Sequence, residues 1–357
     1  MTKNIDYYWC KYYNEYCNRY NYRRDYTMRD YKMDNMKCFL IFCVVIGHML
    51  ELVYAEGMYR IIYSFHMPAF IFASGYFAKY DKGKILSSLI YPYVLFQSLY
   101  LIFDAVIIKQ DPGALKFQYT TPFWLLWFLM ALIFYYLLIP FMEKTNPVFL
   151  MIAGCILSLV TGFDQSIGYY MTLARFFTFL PYFILGMTWK QLKIEILLKN
   201  YWFRLLNVIL VLITCYYFGK YTYISNPVLY GSNSYVNAEY TILIKGILLL
   251  CGINWILFFM WIFPVVKIPI ISSIGKNTLT IFLMHGFIKL YLGSKGGIFI
   301  YSRNVNMGLA AVISLVVILL FGNKYFGLLG KQVFTGQGIG QIIGYMKSGK
   351  VSRLNRF

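Results

Sequence analysis

Residues 29–54 read RDYKMDNMKCFLIFCVVIGHMLELVY. A polar, charged lead gives way at Cys38 to an unbroken apolar run, and that run ends on a histidine, His48. A helix crossing the hydrocarbon core of a bilayer, about 30 Å thick, needs roughly 20 mostly apolar residues, because no water is there to satisfy unpaired backbone groups. Windows of this kind recur at 38–54, 59–77, 85–108, 122–141, 147–162, 171–188, 204–219, 240–262, 271–290 and 307–322. Of 357 residues, 60% are hydrophobic and 13% charged, so composition and pattern together predict an all-α polytopic membrane protein with about ten transmembrane helices.

Lys and Arg number 33 against 14 Asp and Glu. If the N-terminus is cytoplasmic, 24 of the basic residues fall on that side, 7 on the other, and Arg175 and Lys245 lie within spans. This bias predicts a multi-pass protein of the cell membrane with both termini in the cytoplasm. The segment 289–306 runs against it, with Lys289, Lys295 and Arg303. Cations spread between apolar runs argue against nucleic acid as a partner. The seven cysteines contain no CxxC pair, and neither a disulfide framework nor a metal site is expected. Three regions follow: a tyrosine-rich, basic extension at 1–27, a transmembrane domain at 28–325, and a Gly-rich, basic tail at 326–357. The tail's GQGIGQIIG follows no strand and is not read as a dinucleotide loop.

Ionisable side chains at bilayer depth are costly unless paired or hydrated, and by default they mark a functional cavity. All three histidines, His48, His66 and His285, fall in apolar windows. Lys37 and His48 are eleven residues apart, which on a helix is three turns plus about 20° and about 16 Å along the axis, so one stripe carries both. Asp34 is spaced to orient Lys37; Glu51 is spaced either to fix the His48 ring or to sit among the lipid headgroups. In YSFHMPAFIFASGYF, residues 63–77, Pro68 predicts a kink beside His66, with Ser74 and Gly75 permitting close helix approach. Arg175 cannot shed its charge and calls for an anion, either a carboxylate such as Asp104 or a ligand phosphate.

Five segments, in order, carry a family resemblance: DNMKCFLIFCVVIGH at 34–48, YSFHMPAFIFASGYF at 63–77, WFL at 127–129, ARFFTFLPYFILGM at 174–187 and IGKNTLTIFLMH at 274–285. The chain resembles the acyltransferase-3 family of integral-membrane O-acyltransferases over about 29–325, and within it looks most like the fucose 4-O-acetylase-like branch. The resemblance implies a ten-helix fold that carries an acyl group, usually acetyl, from cytoplasmic acetyl-CoA to a hydroxyl of a cell-envelope carbohydrate. It aligns the family's basic residue and histidine, ten residues between them, with Lys37 and His48. Its FHMP and SGY elements fall on His66, Met67, Pro68, Ser74, Gly75 and Tyr76. Where the family has paired arginines this chain has Lys190 and Lys193, a departure at the donor side.

The chemistry implied needs a base for the attacking hydroxyl and a group to stabilise the oxyanion. His48 is the expected base, Glu51 its orienting carboxylate, and His66 the group that stabilises charge or shuttles the proton. Lys37, Asp34, Arg175, Lys190 and Lys193 are expected around the coenzyme, and Ser74, Tyr76, Asn277 and His285 around the acceptor. Expected partners are acyl-CoA, a carbohydrate, membrane lipid and glycan-assembly proteins. The competing reading is a transporter or flippase, in which broken helices and buried charges serve passage.

Overall fold

The computed structural model describes residues 30–220, 225–295 and 298–334; the N-terminal extension and GQGIGQIIG lie outside them. Every regular element among the described residues is a helix, with no strand. Along the chain come α1 (Tyr31–Leu52), α2 (Glu56–Tyr63), α3 (His66–Tyr76), α4 (Lys82–Ile108), α5 (Trp124–Met142), α6 (Pro147–Val160) and α7 (Leu173–Thr188). Then follow α8 (Tyr201–Lys220), α9 (Asn226–Tyr230), α10 (Ile242–Ile262), α11 (Pro269–Lys276), α12 (Thr278–Lys295), α13 (Arg303–Gly322) and α14 (Lys324–Leu329).

Seven helices among the described residues are long and apolar enough to cross a membrane: α1, α4, α5, α7 with the turn before it, α8, α10 and α13. The other three windows are helical but not single full-length spans. α6 with its closing turn has 17 residues or fewer, about 25 Å at 1.5 Å per residue, short of the hydrocarbon core. The window at 59–77 is two helices, α2 and α3, and the window at 271–290 is likewise divided at Asn277.

Both breaks are sealed by polar side chains. Pro68 stands in the first turn of α3, where its missing N–H costs no helical bond. The carbonyl of Ile62, at the end of α2, accepts from His66 Nδ1 at 2.8 Å, and Ser64 Oγ donates to Ile61 O at 2.7 Å. At the second break the Asn277 amide donates to the Gly322 and Asn323 carbonyls at 3.0 and 3.2 Å, tying the junction to the end of α13.

α1 is the central element, packed on by α2, α3, α11, α12 and α13 and buried along most of its length. Asp30 caps it, its carboxylate accepting from Met33 N–H. The peripheral helices show the opposite pattern. On α8 only Asn207, Val211, Thr214 and Phe218 are buried, one helical stripe, while Leu212 and Ile213 face outward as lipid-contacting residues do. The Asn207 amide donates to Asn254 Oδ1 at 2.7 Å across α8 and α10, a polar clasp between apolar helices.

α3 and α7 approach backbone to backbone. A Cβ on Gly75 would overlap the Phe183 carbonyl oxygen, and one on Gly186 would overlap that of Phe72. This parallel pair brings the N-terminal ends of α3 and α7, and with them His66 and Arg175, to one place. We expect Gly186→Val to lower stability by about 1–3 kcal/mol through overpacking, read as an earlier thermal unfolding in detergent. Gly246→Val, at a position with open space around it, serves as the control. Equal unfolding temperatures for the two variants would contradict this account of the α3–α7 contact.

Candidate active site

One face of α1 organises two adjoining cavities. Lys37, Ile41 and Val44 line the first, of about 230 Å³; Val44, His48 and Glu51 line the second, of about 260 Å³. These positions follow each other at helical spacing, so a single stripe runs from the lysine to the histidine. Val44, Met67 and Phe282 belong to the walls of both cavities and form the partition between them.

The Lys37 cavity is mostly apolar, bounded by side chains such as Phe70, Leu129 and Leu132, with Ser74, Ser88 and Thr278 among its polar points. Ser74 Oγ donates to the Phe70 carbonyl at 3.0 Å. At its mouth Lys37 pairs with Asp34 at 3.2 Å and lies over the Phe77 ring, 5.4 Å from its centroid. Phe77 meets Tyr76 edge to face, and Lys190 lies 5.5 Å over the Tyr76 ring. Lys84 takes the same position over Tyr136, a wall residue of this cavity, at 5.8 Å. Three lysines on aromatic faces therefore surround the mouth. Lys193 is exposed beyond it, at a left-handed turn with φ 50°.

The His48 cavity gathers His48, His66, Glu51 and Arg175 with a set of aromatic residues. His66 is buried, and because the Ile62 carbonyl can only accept, Nδ1 carries the ring proton and Nε2 keeps its lone pair. His48 Nδ1 shares a 2.8 Å hydrogen bond with the Tyr63 hydroxyl. Tyr63 stacks on Tyr59, which bonds Tyr230 through the two hydroxyls, so the partner of His48 is itself held in an aromatic row. Arg175 projects from the first turn of α7 with Trp127 and Tyr169 each 5.1 Å from its guanidinium carbon, and its Nε donates to the Tyr230 carbonyl at 3.3 Å. Among the described residues no carboxylate lies within ion-pair distance of it.

These contacts show where the structure places the expected residues. Glu51 lines the His48 cavity, but its carboxylate pairs with Lys289 at 3.3 Å; Tyr63, rather than a carboxylate, bonds the His48 ring. Asp104 is taken by Lys109 at 2.8 Å, because the wide turn ending α4 brings residues five apart together, so it is no partner for Arg175. Arg175 stands in the His48 cavity and not around Lys37. Asn277 is occupied in joining α12 to α13. His285 does not line the cavity; it is fully buried behind His48, ring centroids 5.5 Å apart and nearly parallel. Its Nδ1 donates to Ile281 O at 3.1 Å, and its Nε2 finds no partner among the described residues.

Sequence alone assigns no site role to Tyr63, Trp124, Trp127, Tyr169, Tyr230, Lys84 and Lys289. Trp124 has φ 27°, a strained conformation for an aromatic residue, and from it the indole packs 4.6 Å from the His48 ring and 4.5 Å from the Lys289 ammonium. The signal that could have found Lys289 was its place in the segment 289–306, whose basic residues run against the expected charge bias.

An apolar cavity beside Lys37, adjoining a second cavity that holds two imidazoles and an arginine, suits an acyl transfer. A family model described as an acyltransferase domain, of the acyltransferase-3 type, matches residues 30–322. The chain belongs to the acyltransferase-3 family. The match spans the described helices α1 to α13 and both cavities, and it makes this protein a membrane O-acyltransferase. No curated protein and no solved structure matches the chain.

Proposed function

We propose that this acyltransferase-3 protein transfers an acyl group, acetyl in the simplest case, from cytoplasmic acyl-CoA to a hydroxyl of a cell-envelope carbohydrate, in the manner of the fucose 4-O-acetylase-like branch. The observation that carries the reading is the shared partition: the Lys37 and His48 cavities meet at Val44, Met67 and Phe282 on one stripe of α1. The protein is read as a ten-pass protein of the cell membrane with cytoplasmic termini, which puts Lys37 at the inner mouth and His48 toward the outer half.

In this scheme the coenzyme phosphates meet the Lys37, Lys84 and Lys190 ammonium groups, with Asp34 holding Lys37 in place. The uncharged pantetheine arm suits the apolar passage. His48 takes the proton of the acceptor hydroxyl as its oxygen attacks the thioester carbon; the tetrahedral oxyanion forms beside Arg175; the carbon–sulfur bond then breaks and the thiolate leaves. The Tyr63 hydroxyl orients His48 and accepts from its Nδ1–H, which leaves Nε2 free as base. His66 receives or relays the proton through its lone pair. His285 acts through His48, as a flat support for its ring, and glycan-assembly proteins supply the acceptor.

Purified protein in proteoliposomes, given radiolabelled acetyl-CoA and an envelope glycan, tests this. Covalent label on the glycan is the expected result. Translocation of unmodified glycan without labelling would assign the cavities to transport instead.

A further inference from the structure

A third cavity, of about 610 Å³, opens beside α2 at the His48 end of the molecule and is bordered by Arg60, Lys220 and Arg303 with Glu56. The fold brings these cations together from three helices. A Cβ on Gly57 would overlap the Gly219 carbonyl oxygen, so α2 and the end of α8 touch through bare backbone. Arg60 Nε donates to the Phe218 carbonyl at 3.3 Å across that contact, setting Lys220 next to it. Arg60 is buried and also pairs with Glu56 at 3.0 Å, while Lys220 and Arg303 are exposed. Arg303 and Met307, one turn apart, present the first turn of α13, whose unpaired N–H groups add positive potential.

We propose that this cleft binds a phosphate-bearing group, and that it is where the lipid phosphate of a membrane-anchored acceptor is held. Among the described residues bordering it, three cations face one carboxylate, an excess that matches a doubly charged phosphate or diphosphate better than a single carboxylate. Guanidinium groups recognise phosphate oxygens through paired donors. α2 links the cleft to the chemistry: Arg60 and Glu56 border the cleft, while Tyr63 on the same helix bonds His48. A phosphate at Arg60 thus leaves the attached sugar near the His48 cavity. The placement also gives a role to Arg303, one of the cations of 289–306 that run against the charge bias, while Lys289 of the same segment is engaged by Glu51. The inference rests on the function proposed above for its sidedness and its acceptor.

Native mass spectrometry of the full chain in detergent, with a polyprenyl phosphate as probe, tests it. We expect a phosphate-lipid adduct that Lys220→Gln and Arg303→Gln each weaken by about tenfold or more, the loss of one charged hydrogen-bonding partner. Lys116→Gln, on the same side but away from the cleft, and His48→Gln should bind as the parent does. Phosphatidylglycerol competing on equal terms would assign the cleft to phospholipid headgroups, and inorganic pyrophosphate displacing the lipid at equal concentration would assign it to free phosphate; both keep the phosphate site and overturn its acceptor role. Equal binding of uncharged polyprenol, or of the Lys220→Gln/Arg303→Gln double variant, would overturn the site itself. Because the readout is binding, absent label transfer with an intact adduct would sink the acyltransfer scheme and leave the cleft standing.

Discussion

His48→Gln should reduce acyl transfer by about 10²- to 10⁴-fold, the range of a lost general base, while the protein still folds and still binds acyl-CoA. Glutamine keeps much of the side-chain volume against Trp124 and His285, whose rings lie 4.6 and 5.5 Å from the His48 ring, but an amide cannot take a proton. Tyr63→Phe should have a smaller effect in the same direction, because it removes the 2.8 Å bond that selects the ring's tautomer and leaves the imidazole in place. Glu51→Gln should disturb Lys289 rather than mimic either variant. Initial rates with radiolabelled donor, together with thermal unfolding of each variant, check the order. A Glu51→Gln protein as impaired as His48→Gln, beside an unaffected Tyr63→Phe, would return the orienting role to the carboxylate.

Val44→Trp should be the most damaging substitution away from the reacting groups. Val44 borders both cavities, and an indole there fills the partition shared with Met67 and Phe282. We expect a loss in rate of at least about 100-fold, since small displacements of a reacting centre already cost that much, with coenzyme binding at the Lys37 mouth retained. Val44→Ala, which widens the passage, should keep most of the activity. Full activity in Val44→Trp would mean the donor reaches His48 by another route.

The parts of this arrangement that sequence made legible are those governed by one helix at a time. The spacing from Lys37 to His48 is set by 3.6 residues per turn, and Ile41 and Val44 fall on the same stripe for the same reason. The Pro68 break could also be anticipated, although not that His66 would close it by bonding the Ile62 carbonyl. Contacts between helices were not legible. Tyr63 reaches His48 only because α2 turns back against α1, and Glu51 is drawn off by a lysine 238 residues later in the chain. For Arg175 the sequence calls for an anion, a carboxylate or a ligand phosphate, and gives no hint that Trp127 and Tyr169 would place its guanidinium, two rings in a sequence with 7 Trp and 35 Tyr, where composition singles out none. Nor did the window 271–290 show that it would divide at Asn277, whose amide bonds the end of α13.

A donor that travels along the α1 face from lysine to histidine should be visible there in a cryo-EM structure with an unreactive thioether analogue of acetyl-CoA. The expected density has nucleotide phosphates against Lys37, the arm threading between Val44, Met67 and Phe282, and sulfur beside His48. Analogue bound away from this face, with lipid tails filling the apolar cavity, would contradict it.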